Sequence, residues 1–357
     1  MPQPLRFGVV HDFRSPPGSD TPLPQVYAET MEQIRLVDQW GLDLVWFTEH
    51  HFLEDGHLPN FVPVAGAVAA VTDRVRISTD ILLAPFAHPV RLAEDLAVLD
   101  QLSGGRMELG IGMGYAAHEF AGFGVRQKNR VSMTEELIEI LRLSWAGERF
   151  SYHGKRYHFD DLLVSPQPIQ VGGPPLWIAG MSENAALRAA KYDTNLLPQG
   201  PRDIVLDPWR DTLRSTGRDP DDYRVGLIRS VFVTDDAERD WGRLKQAERY
   251  RMSVYARFNE STPDHLPALQ DPKSSIPQGW MVGDEDHCVT QLVEYLTEFG
   301  ITDLVTWGAA PGMAPSLMNE SLERFAKNVV PRVRAEIEGA ARTGHEGTMP
   351  SAGQGTE

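Results

Sequence analysis

Short apolar runs alternate with segments of helical period along nearly the whole chain. Leu5–Val10 has strand length, and Gln25–Gln39 follows with Tyr27, Met31 and Ile34 on one helical face. The alternation repeats with strand Asp43–Thr48, helix Val62–Thr72 and strand Val75–Leu83. Pro89 opens the next helix, where its missing amide hydrogen removes no bond, and Leu92, Leu96 and Leu99 form the stripe. Met107–Gly112 is the fourth strand, and Val131–Trp145 the fourth helix, with Leu137, Ile140 and Leu141 inward. Leu176–Ala179, Thr194–Leu197, Arg224–Val233 and Asp303–Trp307 supply strands five to eight. Helical patterns near Asp203–Thr216, across Asp236–Phe258, through Val289, Leu292, Val293 and Leu296, and along Leu322, Phe325, Val329 and Val333 complete the series.

Three segments break the rhythm. In Gly147–Val164, aromatic residues flank His153-Gly154-Lys155, which predicts an inserted hairpin. Asn259–Met281, rich in Pro and Ser, reads as a long loop of the kind that covers a site. Beyond Gly339 the apolar stripe ends, so residues 1–338 are expected as one domain and 339–357 as a disordered tail. Eight strands interleaved with helices predict an α/β fold: a (β/α)8 TIM barrel with an inserted hairpin and a long loop before the last strand. An open doubly wound sheet would carry a glycine fingerprint at its first strand–helix turn, and none stands there.

Composition changes this picture little. At 357 residues and 41% hydrophobic, the chain can bury a large core, and a barrel of this size is commonly one unit. The net charge of -16 argues against a nucleic-acid surface. The single cysteine, Cys288, excludes an intrachain disulfide and sits in an amphipathic pattern, as a packing residue does. No run of 18 apolar residues occurs and no signal-peptide layout opens the sequence, so a cytoplasmic protein without a membrane partner is expected.

The chemistry gathers where strands stop. Glu49, His50 and His51 end the second one. Neighbouring strand residues face opposite sides, so only one imidazole points inward unless the strand has already ended. No metal is expected, because the His-x-x-x-His spacing is missing. His88 is either a loop residue holding a helix start or a substrate contact. Arg91 with Glu94 and Asp95 reads as rim ion pairing. Gly110, Gly112 and Gly114 do not suit a dinucleotide, since Tyr115–Gln127 separates them from the next helix; they let a flat ring or a side chain approach the backbone. Gly180, Met181 and Ser182 join a strand to a helix, with Ser182 either a plain cap or part of an anion site. Phe86, Tyr115, Trp280 and Trp307 either wall an apolar pocket or belong to the core.

These residues resemble the bacterial luciferase-like, flavin-dependent monooxygenase family. The matching stretches are Val45–Phe52, Ala87–Asp95, Leu99–Arg106 and Gly110–Gly114, with weaker echoes at Phe123-Gly124, Pro175–Ser182 and Gly283-Asp284. The resemblance implies a TIM barrel that binds reduced FMN, reacts it with O2 and passes one oxygen atom to a small, apolar organic substrate. A separate NAD(P)H-dependent flavin reductase supplies the reduced flavin, and a homodimer is the family habit. His50 matches the active-site histidine near the flavin's reactive edge, with Glu49 or His51 expected to orient it. Asp80 and Ile81 match a strand end backing the ring, often through a cis peptide. Gly112, Met113, Gly114 and Tyr115 match a flavin-contacting segment. Gly180, Met181 and Ser182 match phosphate contacts, with Arg130 assisting. Luciferase itself has a cysteine at the place of Gly112 and an arginine at that of Met113, which shifts phosphate binding toward Ser182 and Arg130. A deazaflavin-dependent hydride-transfer dehydrogenase or reductase is the alternative within the same superfamily.

Overall fold

The ring of strands forms, and two of its members divide. The structure is a computed structural model describing residues 3–258, 276 and 279–346. Its strands are β1 (Arg6–His11), β2 (Leu44–Phe47), β3 (Arg76–Thr79), β4 (Leu82–Leu83), β5 (Leu109–Gly112), β6 (Phe150–His153), β7 (His158–Leu162), β8 (Leu176–Gly180), β9 (Asn195–Pro198), β10 (Gly226–Ile228), β11 (Ser230–Val233), β12 (Trp280–Gly283) and β13 (Asp303–Trp307). Parallel pairing runs β10-β13-β1-β2-β3 in one arc and β4-β5-β8-β9 in the other. Single bridges, Ile77 to Met107 and Leu196 to Val225, join the arcs into a barrel.

The helices are α1 (Leu23–Trp40), α2 (Phe61–Val71), α3 (Pro89–Ser103), α4 (Ala117–Gly122), α5 (Arg130–Ser144), α6 (Glu183–Lys191), α7 (Leu206–Ser215) and α8 (Ala237–Phe258). After β12 come α9 (Glu285–Phe299), α10 (Asn319–Arg324), a π-helical turn at Phe325–Val329 and α11 (Val330–Glu346). Their ends follow side-chain chemistry. Gly41 and Gly104 close α1 and α3 in the left-handed region, and the Asp284 carboxylate caps α9 by accepting the His287 amide at 2.9 Å.

Alternation along the strands makes two cores. Val10, Leu44, Trp46, Trp177, Leu197, Val305 and Trp307 fill the barrel. Their neighbours Val9, Val45 and Phe47 face outward into the larger core beneath the helices. The N-terminal end of the barrel is plugged by ions. Arg6 donates to Asp303 at 2.5 Å and to Glu108 at 2.7 Å, and Arg224 donates to Asp303 at 3.0 Å. Arg76 also pairs with Glu108, whose second oxygen accepts the Trp177 indole N–H at 2.9 Å.

Four expectations need correction. Strand three splits into β3 and β4 at the cis Asp80–Ile81 bond. Strand seven also splits: β10 pairs with β13, whereas β11 pairs in parallel with β12. That partner begins at Trp280, so the long loop stops short of Met281; a buried run of four residues is too short to stand out as a strand. Residues 259–275 and 277–278 of that segment lie outside the described residues. Helix α11 runs on to Glu346, past the loss of apolar pattern at Gly339.

Candidate functional site

Strand β2 ends at Phe47, so the chain has already left the ring when it reaches its imidazoles. His50 and His51 are both buried there, and each meets its own carboxylate. His50 Nδ1 lies 2.9 Å from Glu119 Oε1, and the same oxygen accepts the His51 backbone N–H at 2.9 Å. His51 Nε2 lies 3.0 Å from Glu49 Oε1. Burial raises the Glu49 carboxyl above its usual range, against the opposing pull of His51. Glu119, not Glu49 or His51, thus orients His50. It stands on α4, fully buried, and its Oε2 has no partner. The sequence hid it: α4 is too short for a periodic stripe, and only its neighbour Phe120 marks the buried face.

The two histidines look into different surroundings. The His50 ring meets Tyr255 at 5.7 Å, Phe258 at 4.9 Å and, edge to face, Tyr115 at 6.2 Å. His51 instead faces Phe86 and Phe123. Two further histidines are removed from proton chemistry by burial, which pushes His11 down to about 3 and His57 well below its ordinary value.

One face of α8 covers the mouth. Glu248, Arg251, Tyr255 and Phe258 recur at helical spacing, so they project together. Tyr255 and Phe258 lie over His50, and Arg251 stacks on Trp307 with its guanidinium carbon 4.2 Å from the ring centre. Tyr250 on the adjoining face donates its hydroxyl to Asp55 at 2.9 Å, where Arg14 also donates at 2.7 Å.

The floor is made where β3 gives way to β4. Asp80 is buried against the Gln199 amide, 3.3 Å away, and burial pushes its carboxyl up to about 7. Gly110 and Gly112 make room for the neighbouring strand and its extension: a Cβ at Gly112 would strike Ile81, and one at Gly110 the Thr79 carbonyl. Of the two approaches left open for these glycines, the side chain and backbone of β3 and its extension are the observed ones. Gly114 adopts φ +68 and turns the chain so that Tyr115 reaches His50, while Met113 is half-buried.

Other predicted residues are dispersed. Gly180 packs tightly on Ala185 at the β8–α6 turn, Met181 is 70% exposed, and Ser182 stands at the N-cap without a side-chain hydrogen bond. Arg130 opens α5, with no contact to Ser182 among those observed. Phe86 and His88 line a cavity with Glu49, His51 and Phe123. Trp280 and Trp307 line a different one with Arg229, Glu248, Arg251 and Tyr255. The second is therefore not the purely apolar pocket expected. Arg91 pairs with Asp95, and Cys288 is a buried packing residue whose thiol burial pushes up to about 12. Among the described residues no group of three or more His, Cys, Asp or Glu is placed to hold a metal, and no helix is long and apolar enough to cross a membrane.

Buried polar atoms without partners concentrate at this mouth. Among the described residues His11 Nε2, His57 Nδ1, Glu119 Oε2, Arg14 Nη2 and Arg251 Nη1 have no hydrogen-bond partner, while Asp12 Oδ2 and Arg14 Nη1 meet only as an ion pair at 3.8 Å. Each such atom costs about 1–3 kcal/mol when left dry, so their clustering fits a site completed by a polar heterocycle such as a flavin.

Comparison with known proteins gives a concordant result. Residues 5–303 match the sequence profile of luciferase-like monooxygenases. The chain is 31% identical over 327 residues to the oxygenase component of a flavin-dependent trigonelline monooxygenase from Acinetobacter baylyi, covering 86% of this chain and 90% of the relative. It is 27% identical over 315 residues to an F420-dependent glucose-6-phosphate dehydrogenase from Amycolatopsis mediterranei, covering 84% and 92%. The crystal structure of monooxygenase RslO1 from Streptomyces bottropensis superposes with a TM-score of 0.81 at 24% identity, over 92% of this chain and 99% of that one.

Proposed function

The chain belongs to the luciferase-like monooxygenase family, and from that membership we propose that it is the oxygenase component of a two-component system, using reduced FMN and O2 to oxygenate a small organic substrate. The observation that carries this reading is His50, fixed by Glu119 at 2.9 Å and roofed by Tyr255 and Phe258. When bound, reduced flavin supplies the two electrons that activate dioxygen. Every other part falls to the protein.

His50 holds or gives a proton at Nε2, because Glu119 occupies Nδ1. The α8 face excludes water from that nitrogen. Asp80, Ile81, Gly112, Met113, Gly114 and Tyr115 form the floor and near wall for the ring. The backbone of Gly180, Met181 and Ser182 at the start of α6, with Arg130, receives the phosphate. Glu49 holds His51 away from the reacting edge.

The Glu49-His50-His51-Phe52 run supports FMN over deazaflavin, while relatives of both kinds stand at similar identity. That relative is an oxygenase component, which supports an NAD(P)H-dependent reductase as the partner here. Anaerobic titration with photoreduced FMN and with reduced deazaflavin tests the assignment. Reduced FMN is expected to bind and, once oxygen is admitted, to reoxidise more slowly than in buffer. Binding of deazaflavin alone, with FMN reoxidising as free flavin, overturns it.

A further inference from the structure

The cavity beside the roof is charged where an oily substrate would want it bare. It measures about 450 Å³ and is walled by Trp280, Trp307, Tyr255 and Met252, with Arg229, Arg251 and Glu248 among its lining. Tyr255 is common to this cavity and to His50, whose ring is 5.7 Å from its own, so the cavity opens beside the proposed reacting centre.

Arg251 is the unusual member. It is only 2% exposed, and Glu248 is its carboxylate partner, accepting Nε at 3.0 Å and also Nη2. Its remaining terminal nitrogen, Nη1, is buried without a hydrogen-bond partner among the described residues. A guanidinium presents its donors in a planar fork matched to a carboxylate, and leaving one donor dry is unfavourable. Arg229 adds a second cation, stacked at 4.5 Å on the Tyr295 ring. Two guanidiniums thus face one carboxylate within the lining. Behind it Asp12 and Asp55 share Arg14, and Asp12 also acts on Arg251, so the charges balance overall and what the lining keeps open is the one donor of Arg251.

The aromatic walls decide the shape. Arg251 lies 4.2 Å from the Trp307 ring centre and 5.8 Å from that of Trp280. A cation already covers those indoles, so a cationic ligand would meet repulsion there, whereas a flat ring bearing a negative charge continues the stack. Building on the oxygenase reading, we infer that this cavity is the substrate subsite and that it takes a planar, ring-bearing carboxylate, its anion on Arg251 Nη1 and its ring between Trp280, Trp307 and Tyr255.

Calorimetric titration of the full chain without flavin tests this, using benzoate, its neutral isostere benzamide, and cyclohexanecarboxylate. Benzoate is expected to bind at least about tenfold more tightly than benzamide, the size of one charge-assisted hydrogen bond, and more tightly than the non-planar acid. In the double variant Glu248→Gln/Arg251→Met, which removes both charges together, the preference for benzoate over benzamide is expected to vanish. Should that variant not fold, Arg251→Lys keeps the ion pair while losing the fork, and benzoate is expected to weaken several-fold. Equal affinity for benzoate and benzamide, no benzoate binding, or unchanged benzoate affinity in a folded variant overturns the proposal. Because no flavin is present, failure of reduced FMN to bind in the separate titration removes the oxygenase reading and leaves this result standing.

Discussion

The two ends of one barrel treat buried charge in opposite ways. At the N-terminal end, Arg6, Arg76, Arg224, Glu108 and Asp303 satisfy one another, and the Trp177 indole takes the last carboxylate oxygen. Burial would raise the Glu108 carboxyl, yet Arg6 and Arg76 more than offset it and hold Glu108 below its usual range. At the C-terminal end, polar atoms of His11, Arg14, His57, Glu119 and Arg251 are as deeply buried and have no hydrogen-bond partner among the described residues. A closed network holds a fold together; an open one leaves donors and acceptors for something else to meet.

The largest effect is expected where the network is closed. Glu108→Ala leaves two guanidiniums facing each other in the barrel floor, and removing one member of a buried pair typically costs about 3–5 kcal/mol. Chemical denaturation measures this, and turnover per folded molecule should stay at the parent level. A large loss of turnover with stability intact would erase the division between the two ends. Next comes His50→Ala, expected to cut turnover roughly 100-fold or more while leaving flavin binding largely intact. Titration of reduced FMN alongside steady-state rates separates the two effects, and unimpaired turnover would remove His50 from the chemistry.

Asp80 sharpens the contrast through pH. Its carboxyl is raised from 3.8 to about 7 by burial, with Gln199 pulling weakly the other way. Between those values the unfolded chain releases a proton that the folded chain keeps. Stability linked to this group therefore falls as pH rises from about 4 to about 7, at up to about 1.4 kcal/mol per pH unit, and levels off above. Asp80→Asn should flatten that slope in denaturation curves collected across the range. An unchanged slope means that Asp80 is ionised in the folded protein.

Much of this is legible in the sequence. Continuous apolar runs and period-3.6 patterns marked the ring and its order, because barrel strands are buried on both faces and helices on one. The cis bond at Asp80–Ile81 and the placing of His50 at a strand end followed from resemblance and from where an apolar run stopped. What stayed hidden was whatever depends on few residues or distant ones. Strand β12 is four residues long, and the roof on α8 reads as an ordinary amphipathic helix. Glu119 is 69 residues from His50, and no local pattern links them. Arg251 is one of many charges along α8, and nothing local distinguishes the one that lies buried against two tryptophans.

Glu119 supplies the finest test, since it sits in the open network yet makes two bonds of its own. One oxygen accepts from both His50 Nδ1 and the His51 amide, and the other is dry. If its task is to aim His50, shape matters more than charge. Glu119→Ala should then lower kcat about tenfold, the scale of one charge-assisted hydrogen bond, with KM for reduced FMN nearly constant. Glu119→Gln keeps an oxygen in the same place and can still accept both N–H groups, so it should restore most of the loss. Equal losses in the two variants would instead mean that negative charge, by steadying a protonated imidazole, is what the mouth requires from this residue. Equal and full activity in both would show that His50 is held by its aromatic neighbours alone, and the open end of the barrel would then owe its geometry to packing.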